Sequence, residues 1–285
     1  VAARGQLIAT GEALTNRGTL QGQDLTLSNT ATDNSGTLAA DRALKVDTRS
    51  LTTGADAVLT SKGDIALNAG SKADLNGRVN ARGGLTVAAD DIRTRESAQL
   101  QSEGDVTLTG KTVRLDGTQA SKGTLSAKAD TLTHSGKSNA ATLALDAPVL
   151  TNSGTLVADT LRLTGQQLTN SGLLDGVASL SGNVTGTVTN SGQVQSAGDI
   201  AVSAASITNP GRMAGDTLTL HASTLSNEGL WQGAHGLALT GDTVSAGAAS
   251  RTLSGGALTL DAGQLITRGT VQGQQIEVAA DGWNN

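Results

Sequence analysis

Apolar and polar positions alternate along this chain in short bursts, and the bursts recur. From Leu150 to Gln167, Leu150 and Asn152 share one parity and Thr151 takes the other. Gly154 interrupts the alternation. Leu156 and Ala158 then form a second inward pair around an outward Val157, and Leu161 and Leu163 a third around Arg162. A period of two over a few residues belongs to a short strand with one buried face. Three such strands separated by turns predict one triangular coil. Leu168 to Thr187 repeats the scheme, with Leu168, Asn170, Leu174 and Leu180 in the inward places. No stretch keeps apolar residues at i, i+3, i+4 and i+7, which argues against a helical repeat.

The coils start at Leu14, Thr32, Leu51, Ala73, Ile92, Val113, Leu132, Leu150, Leu168, Val188, Ile207, Leu225, Val244 and Leu265. About 14 rungs of about 19 residues follow, the signature of a solenoid whose units stack. Ordering a rung costs roughly 1–2 kcal/mol per residue, and burying an apolar side chain returns about 1.5–3 kcal/mol. With four or five such side chains, one rung alone does not fold, and stability must come from neighbours along the axis. The predicted class is all-β, a parallel β-helix with three short strands per rung, running through residues 1–285 as one body.

Many rungs open on Leu-Thr-Asn-Ser-Gly or a variant. Asn152, Asn170, Asn190, Asn209 and Asn227 recur in successive rungs, each two residues before a Gly, and Asn16 and Asn34 form an earlier pair. Inward parity with Leu150 and Leu168 buries these amides, and buried polar groups need partners. That favours a structural Asn ladder at a corner over a polar binding stripe, with Gly carrying the backbone through a tight bend. Gly-Asp pairs at Gly63-Asp64, Gly104-Asp105, Gly198-Asp199 and Gly215-Asp216 read as turns, Gly supplying positive φ and Asp bonding nearby backbone. The outward Thr133, Thr151, Thr169, Thr189 and Thr208 make a single column, too narrow for an ice-binding face and ordinary for a solvated strand.

Composition narrows the class further. The 285 residues include no Phe, Tyr or Cys and two Trp. Such a core is narrow and of constant cross-section, filled by Leu, Val, Ile and Ala. The mild net charge of −5 is scattered and gives no footprint for nucleic acid. No apolar run reaches the roughly 18–20 residues of a membrane span. Val1 falls in mid-pattern, as expected of a piece of a longer array.

Candidate chemistry is sparse. His134, His221 and His235 sit in different rungs without metal-ligand spacing, so no metal or other cofactor is predicted. No Ser lies in Gly-x-Ser-x-Gly, and the calcium-binding nonapeptide is missing. Short turns leave no loop to build the cleft that a polysaccharide-cleaving β-helix would need, so no catalytic residue is expected. From Leu51 to Ala120 the rungs lengthen and the Asn-Ser-Gly corner disappears. Arg78, Arg82, Arg93, Arg95 and Arg114 gather there, with Asp74, Arg93 and Arg114 in one outward column. A surface salt-bridge ladder explains them, and the sharper alternative is a partner contact through Arg93, Arg95 and Arg114.

Leu-Thr-Asn-Ser-Gly-x-Leu-x-Ala followed by Leu-x-Leu resembles the repeats of filamentous haemagglutinin and of related two-partner-secretion exoproteins of Gram-negative bacteria, including those of contact-dependent growth inhibition. The likeness covers the whole chain and is strongest from Leu150 to Thr243. It implies a right-handed parallel β-helix, secreted through an outer-membrane transporter and displayed at the cell surface as a filament. The family's secretion domain carries Asn-Pro-Asn motifs, and none occurs here; Asn209-Pro210-Gly211 is a corner variant. The resemblance therefore implies non-enzymatic shaft. The transporter would be engaged by a domain absent from this stretch, and a host or bacterial surface receptor would be met by a tip. A module that itself binds glycans or a receptor is the competing reading.

Overall fold

The computed structural model describes residues 1–285 and contains no helix. It is a parallel β-solenoid of about 15 turns with a repeat of ~19 residues. The chain packs as two compact units, Val1–Asp146 and Ala147–Asn285.

In the first unit, parallel pairing aligns Leu14, Thr32, Leu51, Ala73, Ile92, Val113 and Leu132 as one column. These are the rung starts read from hydrophobic parity. Register is specified this sharply because a slip of one residue would turn every apolar side chain outward. A second column runs Leu38, Leu59, Val79 and Leu100. A third strand in each rung contributes pairs such as Leu44 with Val46, Ile65 with Leu67 and Leu85 with Val87, all buried. The stretch that looks irregular in sequence has the cleanest triangular rungs. There the strands Arg78–Ala81, Leu85–Ala88 and Asp91–Thr94 are separate, and the next rung repeats them as Gln99–Ser102, Val106–Thr109 and Thr112–Leu115.

In the second unit the corresponding column runs Leu150, Leu168, Val188, Ile207, Leu225, Val244, Leu265 and Trp283. Strands here continue through the corners: Thr155–Asn170 and Leu173–Asn190 pair along nearly their whole length, with register shifts where extra residues are absorbed. The second column holds Leu156, Leu174, Val194, Met213 and Trp231. Trp231 is fully buried, so the core accepts one large ring despite its general lack of aromatics.

The glycines are explained by the stacking. The corner glycines have ordinary backbone angles, and Gly77 is the one residue with φ in the left-handed region, at 75°. A methyl group on Gly172, Gly192, Gly211 or Gly229 would overlap the carbonyl oxygen of the glycine one rung earlier. Close axial approach of the backbones therefore demands Gly, and positive φ does not. The Gly-Asp pairs, expected to turn through positive φ, need a correction: none of their glycines has φ in the left-handed region. Asp64 Oδ1 accepts from the Gly84 amide at 2.8 Å and Asp105 Oδ1 from the Thr124 amide at 2.7 Å, both one rung on. These carboxylates tie successive rungs together and do not close their own turns.

Candidate functional site

The corner amides form a continuous buried ladder in the second unit. Asn152 Nδ2 donates to Asn170 Oδ1 at 2.8 Å, Asn170 to Asn190 at 2.8 Å, Asn190 to Asn209 at 2.7 Å and Asn209 to Asn227 at 3.0 Å. Each Nδ2 also reaches a backbone carbonyl of the following rung, as Asn190 does with Arg212 O at 3.0 Å. Asn227 ends the series on Thr252 Oγ1 at 3.2 Å. All five side chains are buried. Every donor points toward the C-terminal end, so each rung satisfies the amide of the rung before it. Such a column is internal scaffolding, closed to a ligand.

The first unit begins the same way, with Asn16 Nδ2 on Asn34 Oδ1 at 2.7 Å. The column then passes through Thr53, Leu75, Thr94, Leu115 and His134. Leucine accounts for itself as apolar filling. Thr53 bonds the Asn76 backbone, and Thr94 and His134 join residues of the second column in a buried chain. Gln119 Nε2 donates to Thr94 Oγ1 at 2.9 Å, and Ser138 Oγ donates to Gln119 Oε1 at 2.8 Å. His134 Nε2 lies 3.0 Å from Ser138 Oγ. Because the serine proton is committed to Gln119, the imidazole must be the donor in that contact, which sets its proton on Nε2. Serine replaces asparagine at another corner: Ser61, Ser102 and Ser121 each accept from the glycine amide two residues on and donate to a carbonyl of the preceding rung. Their inward parity was the available signal for both arrangements, but the partners lie far apart in sequence.

The basic strip resolves differently from a simple ladder. Asp74, Arg93 and Arg114 do share a column. Asp74, however, is buried, its side chain only 4% exposed, and it takes a bidentate pair from Arg95 at 2.7 Å to each oxygen and a contact from Lys72 at 3.1 Å. The Arg95 hydrogen bonds, then Lys72, hold its carboxyl below the usual carboxylate range against the opposing effect of burial. Arg93 pairs with Asp116 at 3.3 Å, which also accepts from Ser135 at 2.7 Å. Arg114 is exposed and forms no ion pair. Of the three arginines, two are thus committed to carboxylates and Arg114 has no ion-pair partner.

Nothing else assembles reactive groups. No cluster of three His, Cys, Asp or Glu side chains could hold a metal ion. An open groove of about 570 Å³ crosses successive corners and is lined by Asp47, Asn68, Ala89, Asp90 and Lys111. Its polar groups satisfy one another. Asn68 donates to Asp47 at 2.8 Å, and with Lys45 it keeps the Asp47 pKa below its ordinary value. Lys111 pairs with Asp90 at 3.0 Å.

Comparison with known proteins follows the repeat. The Haemagglutinin repeat family model matches residues 1–89, 81–157, 149–229 and 213–282. "Toxin CdiA" of Escherichia coli is 42% identical over 98% of this chain and 10% of its own length. "tRNA nuclease CdiA" of Escherichia coli (strain STEC_O31) is 43% identical over 95% of this chain and 9% of its own. "Deoxyribonuclease CdiA" of Dickeya dadantii (strain 3937) is 34% identical over 85% of this chain and 7% of its own. The chain spans about a tenth of the length of these curated relatives. No solved structure matches it. Rung columns that stack in register and a repeat model that matches nearly every residue agree, and the chain belongs to the haemagglutinin-repeat family.

Proposed function

We propose that residues 1–285 are a non-enzymatic length of shaft from a secreted, surface-displayed exoprotein of contact-dependent growth inhibition. The shaft carries a receptor-binding tip or a toxin away from the cell. The observation that carries this reading is the side-chain economy of the fold. Inward residues are spent on rung-to-rung contacts, and the relatives with nuclease or toxin names match this chain over only a tenth of their length. The nuclease activities in those names belong, in this reading, to other parts of such proteins. The partner on the export route is an outer-membrane two-partner transporter, engaged outside this stretch. Rung-by-rung folding suits a chain that threads a pore unfolded, because its contacts are local along the axis.

The glycan- or receptor-binding alternative rests on Arg93, Arg95 and Arg114, and the pairing of Arg93 and Arg95 leaves it little free charge. The test is an in-register deletion of Ala73 to Thr131, which removes all three arginines, from a full-length exoprotein carrying this segment. Shaft function predicts retained export and retained inhibition of target cells in co-culture, with a shorter filament by electron microscopy. Normal display with target binding abolished would overturn it in favour of a binding module.

A further inference from the structure

Asn76-Gly77 is the one Asn-Gly pair in the chain. It sits at a corner unlike the others. Gly77 has the lone positive φ, and its amide is outside the ladder, donating to Asn76 Oδ1 at 3.1 Å. The Ser97 hydroxyl, one rung on and exposed, donates to the same oxygen. Asn76 Nδ2 makes no hydrogen bond within the protein. The ladder asparagines are the reverse case. Their Nδ2 groups are held in the column, and the amide that follows Asn34, Asn170, Asn190 and Asn227 is locked to the rung before. Ser35 N reaches Asn16 O at 2.9 Å, Ser171 N reaches Asn152 O at 2.8 Å, Ser191 N reaches Asn170 O at 2.8 Å and Glu228 N reaches Asn209 O at 3.0 Å. Pro210, after Asn209, has no N–H to lose.

We propose that Asn76 is a site of spontaneous covalent modification, in which its side-chain amide is lost through a cyclic imide with the Ser97 hydroxyl as the activating donor. Solvent base removes the Gly77 amide proton. The nitrogen lone pair forms a bond to Asn76 Cγ, whose carbonyl oxygen is already polarised by Ser97. The Cγ–Nδ2 bond breaks with its electron pair on Nδ2, which takes a proton from water and departs as ammonia, regenerating the base. Water then opens the ring at Cγ to give aspartate, or at the main-chain carbonyl to give isoaspartate. One water is consumed and one ammonia released overall.

The product bears on the rung. Asn76 O and N are both clasped by the Thr53 hydroxyl, at 2.6 and 2.7 Å, and Gly77 O accepts from the Gln99 amide at 2.8 Å. An isoaspartyl linkage adds a methylene to the main chain between these anchors and cannot keep both. The modification therefore loosens this corner and opens it to proteolysis, while the ladder corners stay intact.

The test uses the whole folded chain held at physiological temperature over weeks, sampled by peptide mapping with mass spectrometry and by enzymatic isoaspartyl methylation. Conversion at residue 76 is expected to exceed that at any ladder asparagine by roughly tenfold or more, since a locked amide must first open. Ser97→Ala, at an exposed position, should leave the melting curve unchanged and slow conversion several-fold. Asn76→Gln should abolish the isoaspartyl signal at this corner. An intact amide at residue 76 over a period in which the same chain converts in urea would overturn the proposal. So would conversion spread evenly over the ladder, or a rate indifferent to Ser97→Ala.

Discussion

Replacing Asn190 by alanine tests what the ladder contributes. Asn190 is buried, receives Asn170 Nδ2 at 2.8 Å on its oxygen, and donates to Asn209 Oδ1 at 2.7 Å and Arg212 O at 3.0 Å. Truncation leaves Asn209 Oδ1 without a donor. It also costs Asn170 its side-chain acceptor, though Asn170 keeps Gln193 O at 3.1 Å. A buried polar group left unpaired costs about 1–3 kcal/mol. One complete loss at Asn209 and one partial loss at Asn170 give an expected destabilisation of about 2–4 kcal/mol, before the small cavity is counted. Urea unfolding followed by far-ultraviolet circular dichroism reads this as a lower midpoint at unchanged slope. Hydrogen exchange at the Ser171 and Ser191 amides, which bond Asn152 O and Asn170 O, should quicken in parallel. Thr189→Ala, on the exposed face of the same strand, is the control and should stay within about 0.5 kcal/mol of the parent. Equal effects of the two substitutions would refute the claim that the ladder amides hold the rungs together.

Further outcomes follow from other parts of the structure. Gly192→Ala should destabilise by about 2–4 kcal/mol, because its methyl overlaps the Gly172 carbonyl, whereas Gly18→Ala, with nothing near its side-chain position, should be neutral or slightly stabilising; similar midpoints for the two would count against axial crowding. Asp74, its pKa depressed by Arg95 and Lys72, contributes stability that is present above the unfolded carboxylate value and lost as pH falls through the folded one. Acid titration of unfolding should therefore show a loss below about pH 4 that Asp74→Asn flattens, and an unchanged acid limb in that variant would contradict the pairing. Trp231 is fully buried and Trp283 is 60% exposed. Acrylamide should quench one emission component and spare a blue-shifted one, and Trp231→Phe should remove the spared component.

The limits of legibility show at particular residues. The inward columns from Leu14 to Leu132 and from Leu150 to Leu265 were readable because strand parity has a period of two and the rung period is short. The Asn corner was readable because one residue type recurs at one parity. The positive φ expected of the Gly-Asp pairs is absent: the constraint on Gly198 is the Ala178 carbonyl oxygen one rung away, and no local pattern carries that distance. In sequence Asp74 reads as a surface charge beside Arg93, but its partner is Arg95, one residue past the end of the next strand, where the bidentate fork can reach it. The chain Thr94–Gln119–Ser138–His134 is invisible in the sequence for a related reason, since it zigzags between two columns, Thr94 and His134 in the corner column and Gln119 and Ser138 in the second.

By itself, then, the sequence determined the class, the rung boundaries and which side chains turn inward, because each follows from apolar periodicity over a few neighbours. Only the tertiary structure decided which polar groups meet: the donor direction of the ladder, the crowding that demands glycine, the burial of Asp74 and the half-buried setting of Asn76 beside the exposed Ser97. Those are contacts between rungs, made across about twenty residues of chain, and their geometry depends on how each backbone stacks on the last.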